Sequence, residues 1–166
     1  MDDEKLQPPP LSLLDRYRGQ DFYPLYTTTV TVSGGQAEHG RASGVARSDD
    51  GNLAVELRLP MEFGGPGNGT NPEQLFAAAF AACFHGALSL LGKRAAMEIA
   101  DTVVEAQVSF GRDPMDGSYA LVIELRVRMP GVDRPVAEEM VRAAERLCPY
   151  AKMARQGTAN IVTVID

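Results

Sequence analysis

The stretch Gly69-Thr70-Asn71-Pro72-Glu73-Gln74-Leu75-Phe76, continuing through small residues to Ala82-Cys83-Phe84-His85-Gly86, decides how this chain is read. Asn71 has the side chain that a helix N-cap needs, and Pro72 suits the first helical position, where no N–H is required. Gln74, three residues past the cap, completes a capping-box-like arrangement. Residues 75–91 then carry almost no charge. A helix that is apolar all round must be covered all round. One small domain supplies that cover with difficulty, so part of this helix is expected to face a second subunit. Ala77, Ala78, Ala79, Ala81 and Ala82 would let another helix come close.

Upstream of the helix the periodicity is two rather than 3.6. Residues 26–32 are rich in Thr and Val and end at Gly34-Gly35, and residues 41–47 form a second strand candidate. Ser48-Asp49-Asp50-Gly51 is a turn signal, followed by apolar residues at 53, 55, 57 and 59, the alternation of a strand with one buried face. Residues 64–69 are a glycine-rich loop. Downstream, strands are expected over 103–110 and 119–129, joined by the turn Asp113-Pro114-Met115-Asp116-Gly117. Asp133-Arg134-Pro135 opens a second helix with the stripe Val136, Met140, Ala144, Leu147, and Pro149 stops it. Residues 160–165 read as a last strand. The order is βββ-α-ββ-α-β, an α+β domain with one central buried helix. Residues 25–166 form this single domain. Residues 1–24 are an N-terminal extension, with Pro8-Pro9-Pro10 and a short helix candidate over 11–17, expected to pack on the outside of the fold or on a partner subunit.

The chain has 166 residues, 45% apolar and 23% charged, enough for a real core. Its net charge of -6 argues against nucleic acid or an anionic membrane as partner. Met1-Asp2-Asp3-Glu4-Lys5 lacks the basic and apolar regions of a signal peptide, and no apolar run is expected to reach the roughly 20 residues of a membrane span. The expected location is cytoplasmic, where thiols are kept reduced and only a transient disulfide is at home.

That bears on the two cysteines, Cys83 and Cys148. A cysteine in an apolar helix is commonly a small buried hydrophobe. Cys148 lies at a helix end before Pro149, where movement is possible. Buried ballast and a redox pair both fit these positions. A reactive thiol needs a cation to populate the thiolate, and an arginine needs an anion to hold it. Arg41, after the Gly34–Gly40 loop, and Glu73, the lone charge between residues 64 and 92, are the candidates. Cys83 with His85 is too small a donor set for a metal site. His85 reads as a packed helix residue and His39 as a loop residue.

Residues 69–78 with Ala82-Cys83-Phe84, the Cys148-Pro149-Tyr150 context, the Gly34-Gly35 and Gly64-Gly65 loops and the element order together resemble the organic hydroperoxide resistance (Ohr) branch of the OsmC/Ohr superfamily. The resemblance runs from about residue 25 to the end. It departs in the first loop. There the family's arginine closely follows the Gly-Gly pair, but here Gln36-Ala37-Glu38-His39-Gly40 intervenes before Arg41, with Arg47 the second candidate. The resemblance implies a thiol peroxidase, in which Cys83 attacks the peroxide and Cys148 resolves the product as a disulfide. Arg41 would stabilise the Cys83 thiolate, and Glu73 would orient Arg41. It also implies organic hydroperoxides as substrates, a dithiol reductant such as a lipoylated protein, and neither a metal nor an organic cofactor. An OsmC-type peroxidase, or a non-catalytic OsmC-like redox sensor or hydrophobic-ligand module, are the alternatives.

Ten residues of straight helix separate Glu73 from Cys83 by about 15 Å. They cannot meet within one such helix. Two antiparallel copies crossing near Ala78 would place Glu73 of one chain beside Cys83 of the other, in an intertwined homodimer with two composite sites. An unwound first turn is the competing geometry. Phe76, Phe80, Phe84, Met61 and Phe63 are candidates for an apolar substrate pocket, each also a candidate for plain core.

Overall fold

A computed structural model describes residues 16–35 and 42–165. Strands β1 (Val30–Ser33), β2 (Val45–Ser48) and β3 (Ala54–Glu56) form an antiparallel sheet in that order. All three are shorter than the sequence pattern suggests, though flanking residues still tie the strands together. Asp49 accepts from Thr28 Oγ1 and from the Thr29 backbone, and Leu57 bridges to Thr70. That bridge ties the sheet to the start of the long helix. Gly44, at φ 94°, sits where a Cβ would lie 2.5 Å from the Ser33 carbonyl oxygen, so only glycine fits the β1–β2 approach.

Helix α1 (Pro72–Arg94) follows a 3₁₀ turn over Met61–Phe63. The N-cap expectation holds: Asn71 is extended and its Oδ1 accepts from the Gln74 backbone N–H at 2.9 Å. The capping box is not closed, since the Gln74 side chain instead accepts from Thr70 Oγ1. Glu73 in the first turn and Lys93 and Arg94 in the last complement the helix dipole. The hairpin β4 (Val103–Arg112) and β5 (Tyr119–Arg128) runs back along α1, its inward residues Val104, Ile123, Leu125 and Val127 packing on the core. Helix α2 (Arg134–Leu147) packs on α1 through Met140 and Ala144.

The fold is α+β as expected, with two differences in element order. Pro149 does not merely end α2 but occupies the first turn of a third helix, α3 (Pro149–Gln156). Residues 160–165 are extended but pair with neither sheet among the described residues, and Ile161, Val162, Val164 and Ile165 are 87–95% exposed.

The expectation about apolar runs is corrected: α1, with 23 residues, is long and apolar enough to cross a bilayer by length and composition. Within this chain it is buried along one face only. Phe80, Phe84, Ala87 and Leu88 face the core, while Ala78, Ala82, His85, Gly86 and Ser89, spaced as one helical stripe, are exposed.

The end of α1 is a Schellman motif. The Met97 N–H donates to the Gly92 carbonyl and the Ala96 N–H to that of Lys93. Ala96 holds the left-handed position at φ 54°, where glycine carries no steric penalty. Ala96→Gly is therefore expected to stabilise the fold by about 1 kcal/mol, read as a higher urea midpoint at unchanged slope.

Candidate active site

Cys83 and Cys148 are 65 residues apart in sequence, yet their Sγ atoms lie 3.3 Å apart as free thiols. Cys83 reaches this point from the core face of α1, one turn past Phe80 and two past Phe76. Cys148 is the joint between α2 and α3. Its N–H donates to the Ala144 carbonyl at 2.8 Å, and its own carbonyl accepts from the Lys152 N–H at 3.1 Å. Cys148 is 1% exposed, while Cys83 is half-buried and is the sulfur that an incoming molecule can reach.

Burial pushes the Cys83 thiol up to about 11, and the thiol–thiol hydrogen bond with Cys148 adds to that rise. A backbone N–H from Tyr150, in the first turn of α3, works in the opposite direction by favouring the thiolate. Among the described residues no cation takes part in this balance. The described residues therefore bring two thiols into contact and hold Cys83 largely as the thiol at neutral pH.

The remaining sequence candidates divide. Arg41 lies outside the described residues. Arg47 is exposed on β2, opposite Thr31 and Ala54. Glu73 is half-buried in the first turn of α1, ten residues before Cys83, with the intervening helix unbroken. The unwound-turn alternative is thereby removed, and the two residues of one chain stand about 15 Å apart. His85 faces away from the sulfur pair, its Nε2 3.2 Å from the Thr102 carbonyl oxygen.

Of the pocket candidates, Phe80 and Phe84 are core. Phe76 is half-buried against the core cluster and packs on Tyr150, whereas Met61 and Phe63 lie exposed in the 3₁₀ turn, Phe63 edge-on to Phe110. Sequence reasoning missed Tyr150 as a site residue. Its ring packs on Phe76 and Phe80 with centroids 6.3 and 5.9 Å away. The available signal was its place two residues after Cys148, which counts only once Pro149 is seen to start a helix.

The α+β fold that brings Cys83 and Cys148 together has relatives among known proteins. The family model described as OsmC-like protein matches residues 65–163. The chain is 43% identical over 131 residues to organic hydroperoxide resistance protein OhrB of Bacillus subtilis, covering 79% of this chain and 91% of that one. It is 38% identical over 133 residues to an organic hydroperoxide resistance protein of Xanthomonas axonopodis pv. citri, covering 79% and 88%. The crystal structure of the Bacillus subtilis OhrB matches with a TM-score of 0.68 at 41% identity, over 80% of this chain and 93% of that chain. An organic hydroperoxide resistance protein from Legionella pneumophila matches with a TM-score of 0.71 at 35% identity, over 81% and 93%. The chain belongs to the OsmC/Ohr family.

Proposed function

We propose that this chain is a thiol-dependent peroxidase that reduces organic hydroperoxides to alcohols in defence against oxidative stress. The observation that carries this reading is the 3.3 Å contact between the free thiols of Cys83 and Cys148. The organic hydroperoxide resistance names of the relatives support the substrate class. The Cys83 thiolate attacks the distal peroxide oxygen, the O–O bond breaks, and the alkoxide leaves and takes a proton. Cys83 is then a sulfenic acid. The Cys148 sulfur attacks it, the S–S bond forms, and the hydroxyl departs as water. An external dithiol, such as a lipoyl group on a protein in a reducing cytoplasm, restores both thiols by exchange.

The working unit in this reading is a homodimer. The open small-residue stripe of α1, the 15 Å between Glu73 and Cys83 on an unbroken helix, and the unpaired apolar residues 160–165 all support it. A second α1 crossing antiparallel near Ala78 brings Glu73 of one copy toward Cys83 of the other. With Arg41 held by Glu73, that arrangement would supply the cation that the described residues do not bring to Cys83. Loss of cumene hydroperoxide in the presence of a dithiol tests the activity, and no loss above the dithiol background would overturn it.

The cation gives a pH prediction. Removing it leaves Cys83 with the burial-raised thiol near 11, so thiolate accumulates only as pH rises. For Arg41→Ala, peroxide consumption is expected to climb about tenfold per pH unit from pH 7 to 9, against a nearly flat wild-type profile. Parallel profiles would clear Arg41 of the role, and the steep profile appearing in Arg47→Ala instead would assign it to Arg47.

A further inference from the structure

We infer that Tyr150 is a positioning residue that decides the fate of oxidised Cys83, by holding the start of α3, and with it Cys148, against the face of α1 that carries Cys83. The inference rests on the two-thiol reading above and deepens it. A sulfenic acid at Cys83 has two competing fates. In one, the Cys148 sulfur closes from 3.3 Å to a bonding distance of about 2 Å, the S–S bond forms and water leaves. In the other, a second hydroperoxide transfers its distal oxygen to the same sulfur, alcohol leaves, and a sulfinic acid remains. The first route is unimolecular. Its rate depends on how much of the time Cys148 stays in place.

Cys148 is itself buried in the core cluster and tied through its backbone to Ala144 and Lys152, so the open question is what holds the start of α3 beside it. As N-cap of α3, Cys148 makes no side-chain cap hydrogen bond, and α3 has eight residues, too few to persist without packing. Beyond Gly157 the chain is extended and exposed and gives α3 no anchor. From the α2 side, Arg155 donates to the Glu145 carbonyl at 3.0 Å. From the α1 side, Ala151 is buried, and the Tyr150 ring lies across both Phe76 and Phe80. Phe76, Phe80 and Cys83 fall on one face of α1, so the aromatic contact and the sulfur contact close over the same ridge. The backbone N–H of Tyr150 also favours the Cys83 thiolate. The ring thus braces the short segment that carries Cys148. The role belongs to the ring's packing; the hydroxyl is not needed for it.

The test is a partition ratio. Reduced protein is treated with excess cumene hydroperoxide without reductant, and disulfide and sulfinic products are counted by intact mass. Tyr150→Ala, with far-UV circular dichroism matching wild type, is expected to raise the sulfinic-to-disulfide ratio about tenfold, the scale of a small misplacement of reacting atoms. Tyr150→Phe is expected to stay within about twofold of wild type, because it keeps the ring. If Tyr150→Ala does not fold, Tyr150→Leu replaces it with the same expected direction. An unchanged ratio in the Ala or Leu protein, or a raised ratio in Tyr150→Phe, overturns the assignment. Absence of any disulfide in the wild type overturns the two-thiol reading instead, so the two failures are distinct.

Discussion

Cys83→Ser is expected to consume organic hydroperoxide on the order of 10³-fold or more slowly than wild type. A thiolate is a polarisable nucleophile that attacks peroxide oxygen, whereas a serine hydroxyl at neutral pH stays protonated and does not. Cys148 cannot stand in for the lost sulfur, because it is 1% exposed at the α2–α3 joint, whereas Cys83 is only half-buried. Cys83 is half-buried, so a hydroxyl there keeps access to water and the fold is retained. The measurement is peroxide loss with a dithiol present. Activity within tenfold of wild type would move the chemistry away from Cys83.

Cys148→Ser has the opposite character: the first oxidation proceeds and the cycle then fails. Without a second sulfur at 3.3 Å, the Cys83 sulfenic acid persists until another hydroperoxide arrives. The expected product is a sulfinic acid, an intact-mass gain of about 32 Da, in place of the loss of about 2 Da that a disulfide gives. The substitution also buries a hydroxyl in a packed cluster with Phe84, Ala144 and Ala151, at a cost of about 1–3 kcal/mol. The stability loss is read separately, from the urea midpoint. A Cys148→Ser protein that cycles with dithiol at the wild-type rate and gains no oxygen would show that Cys148 does not resolve.

Much of this was legible from local chemistry. Asn71 and Pro72 announced the start of α1, and the alternation at 53, 55, 57 and 59 announced a strand face, because caps and pleats act over a few residues. The apolar composition of α1 led to the expectation that one chain leaves part of it uncovered, and Ala78, Ala82 and Gly86 are exposed. Three features stayed hidden for physical reasons. Pro149 is compatible both with ending one helix and with opening the next, and only the packing of Ala151 and Tyr150 selects the second. Residues 160–165 have strand composition, but they pair with neither sheet among the described residues, and composition alone names no partner edge. The meeting of Cys83 with Cys148 spans 65 residues and depends on α2 crossing α1, which no local pattern encodes. Family resemblance pointed to the pair, and the fold supplied the distance.

The most direct measurement adds one equivalent of cumene hydroperoxide to the reduced protein with no other thiol present. Free thiols and intact mass are then counted per chain. The two-thiol account predicts that each peroxide consumed removes both thiols and lowers the mass by about 2 Da. Peroxide consumed with both thiols intact, or one thiol lost with a lasting gain of about 16 Da and Cys148 still free, would contradict it.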